Sequence, residues 1–229
     1  MNKESYRKKI DEAIVKFIGE IKEKFREHPF FFVNEEDIRC ELYHRISSFN
    51  HEIYFQNVET KKKFVSNSIH VDAFVGKIKP DLLIYFAQNS NKIPIPSGSV
   101  KDSKKDKVHF FQRNTQNENN NHKRILVEIK FINHTSGISK KRKKAIKKDI
   151  VKLKNCDHWK GYFIFFDMGN KLDDYPNFKS DMIKLMEKGH DRQGGDIEFY
   201  YLGFPLHDGN KKGKYLHLEN GNIRKMSSW

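Results

Sequence analysis

Two stretches of the chain carry charges where a buried strand has little use for them. In RILVEIKFI, residues 124–132, Glu128 and Lys130 are separated by one residue inside an apolar run. Successive side chains of a strand point to opposite faces, so this spacing puts both charges on one side. Burying either alone is expensive, so the pair predicts a cleft shared with a metal, a substrate or each other. The second stretch is KPDLLIYF, in which Asp81 opens another apolar strand after Pro80. If the two strands are neighbours, Asp81 lies beside Glu128. Adjacent carboxylates repel, and a divalent cation is the usual remedy. Two hard oxygen ligands with open positions for water and phosphate suit Mg²⁺, with Mn²⁺ as a substitute. Lys130 beside that pair can stabilise a developing oxyanion or position a water. Metal, carboxylates and lysine together can hydrolyse a phosphodiester.

Each residue also has a plainer reading. Glu128 and Lys130 could line the solvated face of an edge strand, although the apolar residues on both sides of the pair argue against that. Asp81 alone would be a turn residue after Pro80. Its place opposite the Glu128–Lys130 pair is what favours metal binding.

The elements that must position these residues are legible from periodicity. Tyr6, Ile10, Ile14, Phe17, Ile18, Ile21 and Phe25 recur at helical spacing and predict an amphipathic helix over 4–27. A second helix is expected in NEEDIRCELYHRISSF, capped by Asn34, with acidic residues in its first turn and Ile38, Leu42 and Ile46 as its apolar stripe. Strands are expected at HEIYFQNV, SIHVDAFVGKI and KPDLLIYFA, then at RILVEIKFI, KGYFIFFDM and DIEFYYLGF. Between the last three lie two helices, KKRKKAIKKDIVKLKN, with Ala145, Ile146, Ile150 and Leu153 as its stripe, and YPNFKSDMIKLMEKG. Asn220-Gly221-Asn222 signals a turn, and KYLHLENGNIRK reads as a hairpin. Residues 88–124 are rich in Asn, Lys and Ser and form a low-complexity insertion, with KVHFFQ as a short strand within it. The order predicts one α/β domain over 1–229, a mixed central sheet flanked by helices. The N-terminal helices fall at about 4–48 and a C-terminal strand and hairpin extension at about 196–229.

Composition bounds the partner. The 229 residues carry 44 basic and 30 acidic side chains, a formal net charge of +14. That excess favours a polyanion, most simply nucleic acid. AT-rich coding, which raises Lys, Asn and Ile together, accounts for part of it. Lys140 to Lys154 holds nine basic residues and one acid, Asp149. Such a run is commonly a solvated helix face, but one this charged repels itself unless an anion is near, so phosphate-backbone contact is expected from Lys140, Lys141, Arg142, Lys143, Lys144, Lys147 and Lys148. Cys40 and Cys156 have no metal-ligand spacing and point to a reducing cytoplasm. MNKESYRKKIDEAIVKF lacks the apolar core of a secretory signal, and no apolar run is long enough to span a bilayer, so no membrane partner is expected.

Pro80-Asp81, followed by Glu128-Ile129-Lys130 on a later apolar strand and then by the basic helix, resembles the PD-(D/E)XK nuclease superfamily. The resemblance covers roughly residues 34–168 and implies the restriction-endonuclease-like fold. It implies Asp81 and Glu128 as metal ligands, the Ile129 backbone carbonyl as a further ligand and Lys130 as the residue acting on water or transition-state charge. Many members also carry a glutamate on a preceding helix, and Glu41 in DIRCELYHRI matches that position, as a catalytic residue and metal ligand. The long separation between Asp81 and Glu128 departs from the pattern and makes the 88–124 insertion this chain's own. At about 100° per residue, Glu41 lies about 60° from Ile38, and Arg45 falls inside the apolar stripe. Both should lean toward the sheet, where Arg45 could pair with Glu41 or reach a phosphate. An intrahelical Glu41–Arg45 pair is the plainer alternative.

The expectation is a Mg²⁺-dependent endonuclease acting on DNA rather than RNA. A restriction, defence or mobile-element role follows by family analogy, and a homodimer would allow both strands to be cut. The rival readings are a nuclease-like fold that binds nucleic acid without cutting it, and a partner-dependent subunit that docks through the 88–124 insertion.

Overall fold

The N-terminal periodicity produces α1 (Lys3–Glu27), a helix of 25 residues. Tyr6, Ile10, Ile14, Phe17, Ile18 and Ile21 are buried along one stripe, as their spacing requires. The computed structural model describes residues 3–28, 34–50, 52–57, 63–71, 79–85, 93–95, 124–132, 139–156, 158–169, 176–187, 195–204 and 213–228. The side chain of Phe25 and the KVHFFQ segment lie outside the described residues. Next comes α2 (Glu35–Ile46), capped by Asn34, whose side chain accepts from the Asp37 N–H while Asp37 accepts from the Asn34 N–H. A short 3₁₀ turn, Ser47–Phe49, follows it.

Ten strands are described: β1 (Glu52–Asn57), β2 (Lys63–Asn67), β3 (Ile69–Val71), β4 (Leu82–Tyr85), β5 (Ile93–Ile95), β6 (Arg124–Ile132), β7 (Lys160–Asp167), β8 (Asp196–Gly203), β9 (Lys214–Glu219) and β10 (Asn222–Ser228). Seven form a mixed sheet in the order β10-β9-β8-β7-β6-β4-β3. The β6–β7 and β7–β8 pairs are parallel, and the others are antiparallel. Parallel neighbours need crossovers. These are α3 (Lys140–Lys154), between β6 and β7, and α4 (Pro176–Met186), between β7 and β8. A separate three-stranded sheet, β2-β1-β5, takes up part of the expected insertion through β5. β8 lies inside the large sheet rather than in a C-terminal extension, and only the β9–β10 hairpin extends it. At the tip of that hairpin Asn220 and Gly221 both have positive φ, 49° and 86°, which suits a tight two-residue turn.

The central strands β6, β7 and β8 are buried on both faces, whereas β10 at the edge is exposed. Ile125, Val127 and Ile129 of β6 pack with α1 and α2, whereas Leu126 and Ile132 pack with α3 and α4. The alternation along β6 puts Glu128 and Lys130 on the α3 side. One detail of α3 departs from expectation: Ala145 is exposed, and Asp149 is buried beside Ile146, Ile150 and Leu153.

Candidate active site

The site forms where one strand outruns its neighbour. The last β4–β6 pair is Leu82 with Val127, while β6 continues to Ile132 beside β7. Extending the antiparallel register by one residue sets Asp81 opposite Glu128, as the sequence anticipates. Beyond that point, among the described residues, no strand pairs with the backbone N–H groups on the β4 side of β6. Two carboxylates stand in. Asp81 Oδ2 accepts from the Ile129 N–H at 2.6 Å. Glu35 Oε2, from the first turn of α2, accepts from the Phe131 N–H at 3.3 Å. Alternate residues of β6 thus continue the ladder into acidic side chains.

Lys130 lies among these acids. Its Nζ is 3.4 Å from Glu128 Oε1, 3.4 Å from Glu35 Oε1 and 3.6 Å from Asp149 Oδ2 on α3. Arg39, one turn after Glu35, brings its guanidinium to 3.5 Å from Asp81 Oδ1. Lys152 pairs with Asp149 Oδ1 at 2.5 Å. The Arg39 guanidinium also meets Glu36, so five carboxylates face these three cations, an excess of negative charge that bears on Glu128. Burial and the neighbouring Asp81 push its carboxyl up to about 8, against the pull of Lys130. Asp81 is also raised, chiefly by burial, and the Ile129 hydrogen bond opposes the rise. Burial disfavours the charge on Lys130, but Glu128, Glu35, Asp149 and Asp81 outweigh it and its pKa rises. Burial thus favours a proton on Glu128, while the surrounding carboxylates keep Lys130 charged.

The carboxylates here that could hold a cation are those of Asp81 and Glu128. Among the described residues, no three His, Cys, Asp or Glu side chains stand together as a metal-holding group. What converges is the Asp81–Glu128 pair, and Mg²⁺ is commonly held by one or two carboxylates with water completing its shell. Ile129, expected to offer its carbonyl, meets Asp81 through its N–H.

Glu41 and Arg45 are not brought to this cluster. Glu41 accepts from Lys24 of α1 at 3.2 Å and from Arg45 at 3.1 Å, and Arg45 also reaches Glu20 of α1 at 3.0 Å. The physical reason is that α2 is covered twice, by the sheet on one side and by α1 on another. Glu41 and Arg45 meet α1. The α2 glutamate at the site is Glu35, seven residues before Leu42 and so about 20° from it on the helical wheel. Continuing the Ile38–Leu42–Ile46 stripe back by one turn was the available signal. Asp149 and Arg39 were also missed. Asp149 was visible as the lone acid of a basic helix, about 40° from Leu153.

Along α3, Lys140, Lys141, Lys144 and Lys148 are exposed, and Arg142 and Lys143 are half-buried. Lys147 pairs with Asp181 of α4 at 2.6 Å, a helix-to-helix contact that competes with its expected phosphate role. A second polar network lies on the α1 face. Lys160 bridges Asp11 at 2.6 Å and Glu198 at 2.5 Å, and Glu198 also takes His217 at 3.0 Å and the Tyr200 hydroxyl. Burial would raise Glu198, but these partners hold it down at about 2. This network fastens α1 to the sheet.

Among the described residues, no helix is long and apolar enough to cross a membrane. No family model matches the chain, and no curated protein or solved structure matches it either.

Proposed function

We propose that this chain is a Mg²⁺-dependent nuclease with a restriction-endonuclease-like fold, hydrolysing phosphodiester bonds in DNA. The observation that carries the reading is the β4–β6 register, which sets Asp81 against Glu128 with Lys130 on the same face. Asp81 and Glu128 would hold the ion, with the Ile129 carbonyl as a further ligand. A bound Mg²⁺ would supply Lewis-acid charge at the scissile phosphate. The chain's own groups do the rest. The Ile129 N–H fixes the Asp81 carboxylate in one orientation. Lys130 keeps its proton and sets a full positive charge where negative charge develops on the phosphate. Arg39, whose guanidinium lies between Asp81 and Glu36, adds positive charge beside the same carboxylates. The exposed lysines of α3 supply the salt-sensitive backbone contacts of a DNA-binding surface.

A second reading has its own support. Burial favours a proton on Glu128, and Asp81 already has partners on both oxygens. Such a network can serve as a structural ion cluster in a protein that binds nucleic acid through α3, alone or with a partner, without cutting it.

One experiment separates the two. The protein is incubated with single- and double-stranded, linear and circular DNA, and with RNA, under Mg²⁺, Mn²⁺ or EDTA. Native protein should cut DNA only with a divalent ion, and Lys130→Ala should lose about 10²–10³-fold in rate. Binding without cleavage under every condition would establish the second reading. Cleavage that survives both Asp81→Ala and Lys130→Ala would place the chemistry elsewhere.

A further inference from the structure

Helix α3 bears nine basic residues and one acid, and of these charged residues the acid is the one it buries, beside Ile146, Ile150 and Leu153. A lone carboxylate on such a helix could pair in solvent with any of its lysines. Asp149 instead has its side chain 11% exposed and reaches across to β6, with Oδ2 at 3.6 Å from Lys130 Nζ. Its other oxygen takes Lys152, one turn along the helix, at 2.5 Å. That contact holds the carboxylate in one rotamer and leaves Oδ2 aimed at Lys130. A carboxylate kept from water this way is tolerable only while it stays paired.

The three anions around Lys130 differ in their other duties. Glu128 is the proposed cation ligand, and a carboxylate engaged by a cation holds an ammonium less well. Glu35 is 39% exposed and also receives the Phe131 N–H. Asp149 comes from the opposite side and is the best-buried anion not assigned to the ion. We propose that Asp149 is a positioning residue, which holds the Lys130 ammonium in the cleft when Glu128 is engaged. This rests on the nuclease reading for its effect on rate but not for its effect on geometry. Asp149 acts through Lys130 and touches no substrate.

The test uses the full chain as native protein, Asp149→Asn, Asp149→Glu and Asp149→Ala. Crystal structures locate Lys130 Nζ. Calorimetric titration with Mg²⁺ gives cation affinity, and its stoichiometry counts folded molecules. Cleavage kinetics give kcat and KM separately. In Asp149→Asn the ammonium should leave its place between Glu128 and residue 149. Mg²⁺ affinity and KM should stay within about twofold, and kcat per binding-competent molecule should fall about tenfold, the size of a modest loss of transition-state stabilisation. Asp149→Glu should restore part of kcat. An unmoved Lys130 would overturn the proposal, as would an unchanged kcat or a loss of Mg²⁺ binding that made Asp149 a ligand. If native protein cuts no nucleic acid, the nuclease reading fails, and the crystal structures still decide whether Asp149 holds Lys130. If Asp149→Asn does not fold, Lys152→Met, which frees Asp149 from its helix-side partner, replaces it and should displace Lys130 and lower kcat in the same direction. An unmoved Lys130 in that variant would equally overturn the proposal.

Discussion

Asp81 receives the backbone N–H of Ile129 at 2.6 Å, across the gap where β4 has not yet begun. One carboxylate thus completes the sheet, and on the nuclease reading it would also hold the ion. The two roles are separable because an amide can replace the first and not the second.

Asp81→Asn keeps an oxygen that can accept the Ile129 N–H but removes the charge. It should fold with a melting temperature close to native and lose Mg²⁺ binding. Asp81→Ala leaves that buried N–H unsatisfied as well, and should be less stable than Asp81→Asn by about 1–3 kcal/mol. Urea unfolding of both variants checks this. Equal stability would mean that the Ile129 hydrogen bond contributes nothing.

Glu128 and Glu198 should give opposite pH signatures. The folded-state carboxyl of Glu128 is pushed up to about 8 from an ordinary value of 4.5. Between those values the folded state holds a proton that the unfolded state has released, so its contribution to stability falls as pH rises. Glu128→Gln should therefore gain on native protein from about pH 4.5 to about pH 8. Glu198 is held down at about 2. It contributes stability that is complete above about pH 4.5 and lost as pH falls toward 2. Glu198→Gln should be destabilised at neutral pH and should converge on native protein in acid. Denaturant midpoints across pH 3–9 would reveal either sign being wrong.

The two glutamates of α2 should behave differently. Glu41→Gln and Arg45→Ala disturb partly exposed pairs with α1, so each should shift stability by less than about 1 kcal/mol and leave cleavage unchanged. Glu35→Gln weakens the hold on Lys130 and on the Phe131 N–H, and should lower kcat. A larger loss of cleavage in Glu41→Gln than in Glu35→Gln would return the site to the arrangement expected from sequence.

Salt dependence should report which lysines of α3 meet phosphate. Removing exposed Lys140, Lys141 or Lys144 should lower the slope of log affinity against log salt by about 0.9 for each phosphate left without its lysine, uniformly across DNA sequences. Lys147→Ala should change that slope less, because its ammonium is already paired with Asp181. Fluorescence anisotropy at several salt concentrations measures the slopes.

Local sequence is enough to set the elements and one face of the site. Periodicity placed α1 to α4 and the strands β6 to β10, because apolar spacing and caps are local properties. The two-residue interval between Glu128 and Lys130 already put them on one side of a strand, and Pro80-Asp81 already marked the neighbour. Tertiary structure alone decided which other acids join them. A helical wheel says which residues share a face and not what that face meets, and α2 meets both the sheet and α1. Glu35 therefore reaches Lys130, while Glu41 turns to Lys24. In the sequence Asp149 is simply the one acid of a basic run, and nothing local says that α3 lays that position against β6. The acceptors of the Ile129 and Phe131 N–H groups depend on how far β6 outruns β4, a matter of strand pairing that no single segment encodes.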